Sequence, residues 1–192
     1  EARTVSVTFE INEGPRVFVE RINIMGNMAT ADKVIRREIR LVEGDAFNTS
    51  KLRRSRQRIQ NLDFFDKVSV EQVPGSAPDK AVVNVEVIEK PTGDVSLGVG
   101  FSSGNGALVD FGINERNLLG QGQDLSLKGR IATRQSQINL SFTEPYFLDR
   151  DVAAGIDVFH IREDMQDDSS FDSETTGGAL RGGYPITERL RQ

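Results

Sequence analysis

The sequence predicts an α+β domain followed by the antiparallel strands of an incomplete transmembrane β-barrel. The barrel prediction rests on four successive runs between Val95 and Phe142 in which apolar and polar residues alternate. A period of two places one set of side chains on each face of a sheet. The α+β prediction rests on residues 15–91, where apolar stripes with helical spacing lie between segments with strand alternation. The predicted order there is strand, helix, helix, strand, strand.

Residues 1–14 are predicted to be the last strand of a preceding domain of the same kind. Val5, Val7 and Phe9 alternate with polar residues, and the run ends at Pro15. The strand that ends at Pro91 has the same pattern, and self-similarity at a fixed period is typical of repeated domains. Because Glu1 already lies within this run and no signal peptide is visible, we expect a mature chain or a piece of a longer protein.

The domain over 15–91 is predicted from caps, turns and apolar stripes. The turn signal Gly26-Asn27 ends the first strand, and Thr30 and Asn48 are expected to cap the two helices. Val68, Val70 and Val73 are expected to form a strand that ends at Pro74-Gly75, and the three strands are expected to form a sheet with both helices on one face. The apolar residues expected to share one core are Phe18, Ile22, Ile24, Val34, Ile35, Ile39, Leu52, Ile59, Leu62, Phe64, Val68, Val70, Val83, Val85 and Val87.

Residues 92–192 are predicted to supply about six strands of a barrel wall. The polar face is rich in Gly, Ser and Asn, which suits a barrel lumen, and the opposite face would then meet lipid. A soluble sandwich remains open, because alternation alone also fits two facing sheets. The residues expected on the apolar face are Val95, Leu97, Val99, Phe111, Ile113, Leu125 and Leu140. Pro145 is expected to end the fourth strand, with Tyr146 and Phe147 in an aromatic girdle at the membrane boundary.

Composition excludes several classes of function. The chain contains no cysteine and no run of about 18 apolar residues, so neither thiol chemistry nor a transmembrane helix is expected. His160 is the single histidine, and no Gly-x-x-x-x-Gly-Lys-Ser/Thr phosphate loop occurs. The basic residues between Lys51 and Arg58 fit the water-facing side of a helix. We therefore expect no enzyme, no cofactor, no metal and no nucleic-acid partner.

Several short motifs follow one another along the chain in a characteristic order. In the first half they are Gly26-Asn27, Val34-Ile35-Arg36-Arg37-Glu38, Val42-Glu43-Gly44-Asp45, Phe64-Phe65 and the Val-x-Val-x-Val-x-Glu-Lys run ending at Lys90. In the second half they are Gly98-x-Gly-Phe, Glu115-x-Asn-Leu-Leu-Gly-Gln-Gly and Phe142-Thr-Glu-Pro-Tyr-Phe. In this order the motifs resemble the BamA family of outer-membrane protein assembly factors, in which POTRA domains precede a barrel. The resemblance covers the chain and divides it at 1–14, 15–91 and 92–192, the last being the first third of the barrel.

The resemblance implies a function without covalent catalysis: assembly and insertion of β-barrel proteins into the bacterial outer membrane. The implied partners are unfolded outer-membrane proteins, accessory assembly lipoproteins and the lipid bilayer, with the POTRA part in the periplasm. A two-partner secretion pore with similar domains, or a soluble periplasmic binding module, stays an alternative. The family's lumen loop and terminal gate strand would lie beyond Gln192, so the chain alone is not expected to insert substrates.

Three groups of residues are candidate sites. The charged run Arg36, Arg37 and Glu38 is expected to point to water and to bind the accessory lipoprotein. A sheet edge formed by Lys67, Val68, Ser69, Val70 and Glu71 is expected to accept a client segment by β-augmentation. The first barrel strand, with Val95, Leu97, Gly98 and Gly100, is expected to form a weak seam that templates an incoming hairpin. The alternative for the two glycines is that they only relieve crowding in a curved wall.

Overall fold

A computed structural model describes residues 16–164, 171–187 and 190–191. It shows an α+β domain that continues into an open antiparallel sheet. Its elements in chain order are β1 Phe18–Met25, α1 Asp32–Arg36, α2 Thr49–Asn61, β2 Phe65–Pro74, β3 Lys80–Glu89, β4 Gly93–Ser102, β5 Gly106–Leu118, β6 Gln123–Ala132, β7 Gln135–Glu144, a 3₁₀ turn Phe147–Asp149, β8 Ala153–Asp164, β9 Asp172–Gly183, β10 Pro185–Thr187 and β11 Leu190–Arg191. The strand predicted over 1–14 lies outside the described residues.

The α+β domain has a three-stranded sheet with β3 at its centre. The strand order is β1-β3-β2, where β3 runs parallel to β1 and antiparallel to β2. Alternation in β3 places Ala81, Val83, Val85 and Val87 on one buried face. Both helices supply residues to the same core, including Val34, Ile35 and Ile59. The predicted strand and helix order is therefore confirmed. The predicted core is confirmed except for Phe18, which is only partly buried, while its neighbour Val19 lies in the core.

The two helices begin in different ways. The Asn48 side chain accepts hydrogen bonds from the backbone N–H groups of Ser50 and Lys51, at 2.9 and 3.0 Å, so the predicted cap of α2 is confirmed. The predicted Thr30 cap is wrong. Ala31 precedes α1 without a side-chain cap, and the buried Thr30 hydroxyl instead accepts a hydrogen bond from Asn117, on β5. Thr30 therefore contributes to the contact between the α+β domain and the six-stranded sheet and does not cap a helix.

Strands β4 to β9 form one six-stranded sheet, in which strands that follow one another in the chain are also adjacent in the sheet. The order is β4-β5-β6-β7-β8-β9, and each pair is antiparallel. Consecutive hairpins of this kind are the building pattern of an up-and-down barrel wall, whereas a sandwich divides its strands between two facing sheets. β7 ends at Glu144, immediately before Pro145, as predicted.

The register confirms the predicted division of the two faces. Leu97 lies opposite Phe111, so the two side chains share a face, while Ser96 lies opposite Gly112. The pairs Ile113–Leu127 and Leu127–Leu140 extend the apolar face across four strands. The opposite face carries polar cross-strand pairs, among them Arg130 with Asp110 and Arg181 with Asp157. Strand periodicity therefore identified both faces correctly.

No helix in the described part of the chain has the length and apolar character required to cross a membrane.

Candidate functional site

The first candidate site is the outer edge of the α+β sheet. β2 pairs with β3 on one side and lies at the end of the sheet, so the predicted Lys67–Glu71 segment is at an edge. Val68 points into the core, whereas Lys67 and Glu71 are exposed. The Ser69 hydroxyl donates a hydrogen bond to Glu71 at 3.0 Å. β2 thus has one face packed on the core and one charged face. The free edge of such a strand can pair with an additional strand through main-chain hydrogen bonds.

The second candidate site is β4, the first strand of the six-stranded sheet. All ten of its residues pair with β5, and β4 forms the end of the sheet. Four of its side chains are exposed by 77% to 81%: Val95, Leu97, Val99 and Phe101. The strand therefore presents both an apolar face and a hydrogen-bonding edge. Within the described residues no strand covers that edge.

Packing within the sheet does not explain the two glycines of β4. A Cβ atom built on Gly98 lies 3.7 Å from the Asp110 Cβ, which is an ordinary contact, and one on Gly100 lies 3.4 Å from Leu108. Gly120 differs, since its φ is +71° and an added Cβ would clash with the carbonyl oxygen of Ala29. Crowding therefore accounts for Gly120, whereas within the described residues no close contact requires a glycine at position 98 or 100.

The third candidate site, the Arg36-Arg37-Glu38 run, requires a correction. The expectation that all three charges point at least partly to water is wrong for Glu38. Arg36 is partly exposed and pairs with Asp32 at 2.9 Å, but the Glu38 side chain retains only 7% of its exposure. Its carboxylate pairs with Arg58 at 2.7 Å and accepts a hydrogen bond from the Tyr146 hydroxyl at 2.9 Å. A buried carboxylate needs such partners.

Tyr146, which was expected in an aromatic girdle, packs against the α+β domain. It belongs to the connection between β7 and β8, and the Arg37 guanidinium stacks on its ring at 4.0 Å from the centroid. Burial, together with the Glu38 charge and the hydrogen bond to it, raises the pKa of Tyr146 above 10.0. The hydroxyl therefore stays a donor throughout the neutral range. We call Arg37, Glu38, Arg58 and Tyr146 the junction cluster.

A second set of hydrogen bonds joins the α+β domain to the connection between β5 and β6. The Ala31 N–H donates to the Gly120 carbonyl at 2.9 Å, and the Asn117 amide donates to the Thr30 hydroxyl at 2.9 Å. The side-chain oxygen Oδ1 of Asn117 then accepts a hydrogen bond from the Gly122 N–H at 2.8 Å, which closes the turn. The domain is thus attached to two hairpin connections of the sheet in addition to residues 90–92.

Charged groups strengthen the same junction. Asp63 pairs with Lys90 and Arg116, and hydrogen bonds from both lower the pKa of this carboxyl below 3.8. Burial acts to raise the pKa of Glu89, but hydrogen bonds from the backbone N–H groups of Ala29 and Thr30 outweigh it and bring it below 4.5. Both carboxylates are stabilised in their charged form at neutral pH.

Sequence patterns did not identify Asn117, Arg58 and Tyr146 as junction residues. Contacts separated by 87 to 108 residues leave no periodic signal in one sequence. The available signal was the glycine-rich Leu119-Gly120-Gln121-Gly122 stretch, where positive φ values mark a tight turn. Among the described residues no cluster of His, Cys, Asp and Glu could hold a metal ion. His160 instead contacts the Thr176 hydroxyl at 2.8 Å.

Comparison with known proteins decides the family. Residues 17–90 match the POTRA model, described as a surface antigen variable number repeat, and residues 117–192 match the Omp85 superfamily domain. The outer membrane protein assembly factor BamA of Neisseria meningitidis is 34% identical over an alignment of 193 positions that covers 98% of this chain and 24% of that protein. The chain belongs to the BamA family. The BamA of Nitratidesulfovibrio vulgaris is 35% identical over 188 residues, again covering 98% of this chain and 23% of the relative.

Solved structures agree with the BamA assignment. A crystal structure of BamA from Haemophilus ducreyi lacking POTRA domains 1–3 superposes with a TM-score of 0.78 at 31% identity, covering 92% of this chain and 34% of that one. CdiB from Acinetobacter baumannii superposes with a TM-score of 0.59 at 14% identity over 90% of this chain and 35% of CdiB, a likeness of fold alone. This chain spans about a quarter of the length of its BamA relatives. Their names mark outer-membrane proteins, which is consistent with the same location here.

Proposed function

We propose that this chain is the part of an outer-membrane assembly factor where the receiving domain joins the inserting barrel. The proposed activity is the folding and insertion of β-barrel clients, and it is supported by the relatives, which are named outer membrane protein assembly factors. The α+β domain, on the periplasmic side, receives unfolded clients, and the first barrel strand supplies the seam at which they enter. No covalent step is required, since strand pairing and burial provide the driving force.

The observation that carries this proposal is β4 itself, the first strand of the sheet, with its apolar face and its two glycines. Barrels that span lipid normally pair every strand, because an unpaired backbone group in hydrocarbon costs several kcal/mol. Within the described residues β4 pairs with β5 alone, and packing against β5 requires neither Gly98 nor Gly100. A weak strand at the seam lets an incoming client strand replace the barrel's own partner. The client's backbone groups are then satisfied as it enters the membrane.

The β2 edge supports the receiving step. Lys67, Ser69 and Glu71 keep this edge soluble, while Val68 and Val70 hold the strand on the core. An extended client segment can add to β2 through main-chain hydrogen bonds that do not depend on its sequence. This matches the task of a factor that handles many different clients.

Accessory assembly lipoproteins are part of the proposal, and Arg36 is the residue of the charged run that remains available to them. It is partly exposed on α1, and its guanidinium lies 3.9 Å from Glu43. Arg37 and Glu38 belong to the junction cluster, so a change in either would act through the junction. Reversal of charge in the Arg36→Glu variant should weaken capture of the lipoprotein, whereas Arg53→Glu on the exposed side of α2 should not.

Cysteine crosslinking tests the seam directly, because the chain has no cysteine of its own. Ser96→Cys places a thiol on β4, and Ser126→Cys places a matched thiol on β6, which is paired on both sides. During assembly of a client with a cysteine in its terminal strand, we expect a disulfide to position 96 and none to position 126. Equal crosslinking at the two positions, or none at position 96, would contradict the proposal.

A further inference from the structure

A groove of about 660 Å³ lies where α1 meets the ends of β7, β8 and β9, and it combines a basic side with an apolar side. Its basic side comes from Lys33 and Arg37 on the α+β domain. Its apolar side belongs to the exposed apolar face of the sheet. Two faces of opposite character that meet in one groove suit a ligand with an anionic head and an apolar tail.

The apolar side is a row of residues from three neighbouring strands. Phe142 lies opposite Ile156, and Ile156 lies opposite Leu180, so the three side chains share the face assigned to lipid. Phe147 and Leu148 extend this row into the connection between β7 and β8. Leu148 is exposed by 75% at a φ of +56°, a conformation that is uncommon for a residue with a side chain. The turn therefore holds a leucine outward beside the groove.

The basic side retains unused binding capacity. In the part of the chain that the structure describes, Lys33 forms neither an ion pair nor a side-chain hydrogen bond, and it is exposed. The Arg37 guanidinium stacks on Tyr146 and its Nε lies 4.0 Å from the Glu38 carboxylate, but it makes no side-chain hydrogen bond within the described residues. The Lys33 ammonium and the Nη groups of Arg37 therefore have donors that a phosphate group could use.

Two of the other charged groups of the groove, Glu144 and Arg181, already have partners. Glu144 accepts hydrogen bonds from the Tyr146 N–H and the Gln123 amide, at 2.9 and 2.8 Å. Arg181 pairs with Asp157 and also donates to Ser141, so its charge is used on the opposite face of the sheet. Asp149 lies in the same connection as Leu148. The basic end is thus left to Lys33 and Arg37.

We propose that this groove binds one anionic phospholipid, with its phosphate at Lys33 and Arg37 and an acyl chain along Phe142, Ile156 and Leu180. The inference rests on the proposed function only in requiring that the apolar face of the sheet lies in a membrane. The lipid would fix the α+β domain against the bilayer surface, because its head contacts α1 while its tail contacts the barrel wall. Charge complementarity and continuity with the lipid-facing surface both favour this occupant.

Native mass spectrometry of the full-length protein, released from detergent micelles doped with phosphatidylglycerol, tests the proposal. We expect one retained phosphatidylglycerol per protein, and retention about fivefold weaker in Lys33→Glu, the effect of one cation at an anionic lipid surface. Arg53→Glu is the matched charge reversal on α2 and should retain the lipid as the original protein does. Phosphatidylcholine, which has no net charge, should not be retained.

Two further measurements test the anionic head and the acyl chain of the lipid separately. Inorganic phosphate in excess should leave phosphatidylglycerol bound, and full displacement by phosphate would overturn the proposal in favour of a simple anion site. Ile156→Ser, which changes the apolar side alone, should also reduce retention. Equal retention by Lys33→Glu and Arg53→Glu would overturn the proposal as well. Client assembly, measured in parallel, is a separate readout, so a protein that assembles clients without retaining the lipid refutes this inference and leaves the proposed function intact.

Discussion

β3 and β4 have nearly the same alternating pattern, yet their apolar side chains meet opposite environments. In β3 the four inward residues, Ala81 to Val87, are covered by two helices and are almost fully buried. In β4 the corresponding side chains are about four-fifths exposed. The difference shows that alternation identifies which face is apolar and does not identify what covers it. The residues on the opposite face indicate what covers the apolar face. The opposite face carries Asn and Glu in β3, and Ser and Gly in β4.

The largest effect is expected in the core of the α+β domain, where the apolar face of β3 is covered by the helices. Ile35→Ala should lower the free energy of unfolding of the isolated 15–91 domain by about 2–5 kcal/mol, because the side chain is fully buried and its removal leaves a cavity. Ile88→Ala, which removes the same atoms from the exposed face of β3, should cost about 0.5 kcal/mol or less. Urea unfolding of both variants measures this. Absence of a cooperative transition in the original domain would contradict its autonomous folding.

The next prediction concerns the exposed apolar face of β4. Leu97→Arg should destabilise the barrel in a bilayer by about 2–4 kcal/mol, because it places a charge on the lipid face. Ser96→Arg, one residue away on the lumen face, should cost much less. Unfolding of the full-length protein from lipid vesicles compares the two. Equal costs would mean that the apolar face of β4 does not meet lipid.

A smaller effect is expected where the two regions meet. Glu38→Ala removes the partner of Arg58 and Tyr146, so we expect a loss of about 1–3 kcal/mol in the unfolding of the full-length protein. Asp32→Ala removes a surface ion pair with Arg36 and should cost about 0.5 kcal/mol or less. Hydrogen exchange at the backbone amides of residues 117–122 would show whether the junction loosens. Unchanged exchange in Glu38→Ala would show that the cluster does not hold the junction.

The smallest effect is a dependence on pH. The folded pKa of Asp63 is lowered, so its contribution to stability is present above the ordinary value of 3.8 and is lost as the pH falls through the folded value. Unfolding midpoints measured between about pH 5 and 3 should therefore fall less steeply in Asp63→Asn than in the original protein. Asp66→Asn, at a neighbouring exposed carboxylate, should keep the original slope.

Local sequence rules predicted the elements of both regions but not the contacts between them. The Asn48 cap, the end of β7 before Pro145 and the register of Leu97 with Phe111 depend on neighbouring residues or on strand periodicity. Glu38 was misplaced because three consecutive charges normally indicate water, and no pattern indicates that Arg58 and Tyr146 will come to meet it. Thr30 was assigned to a cap for the same reason, since its partner Asn117 is 87 residues away.

Attachment at two hairpin connections has a practical consequence for exchanging domains between family members. A splice at residues 90–92 would transfer Glu38 and Thr30 without Tyr146 and Asn117, so the grafted domain would carry a buried carboxylate with one of its partners missing. The portable unit is residues 16–152, which includes both connections. Chimeras cut on this boundary should preserve the distance between the β2 edge and the β4 edge, and with it the path of a client from one to the other.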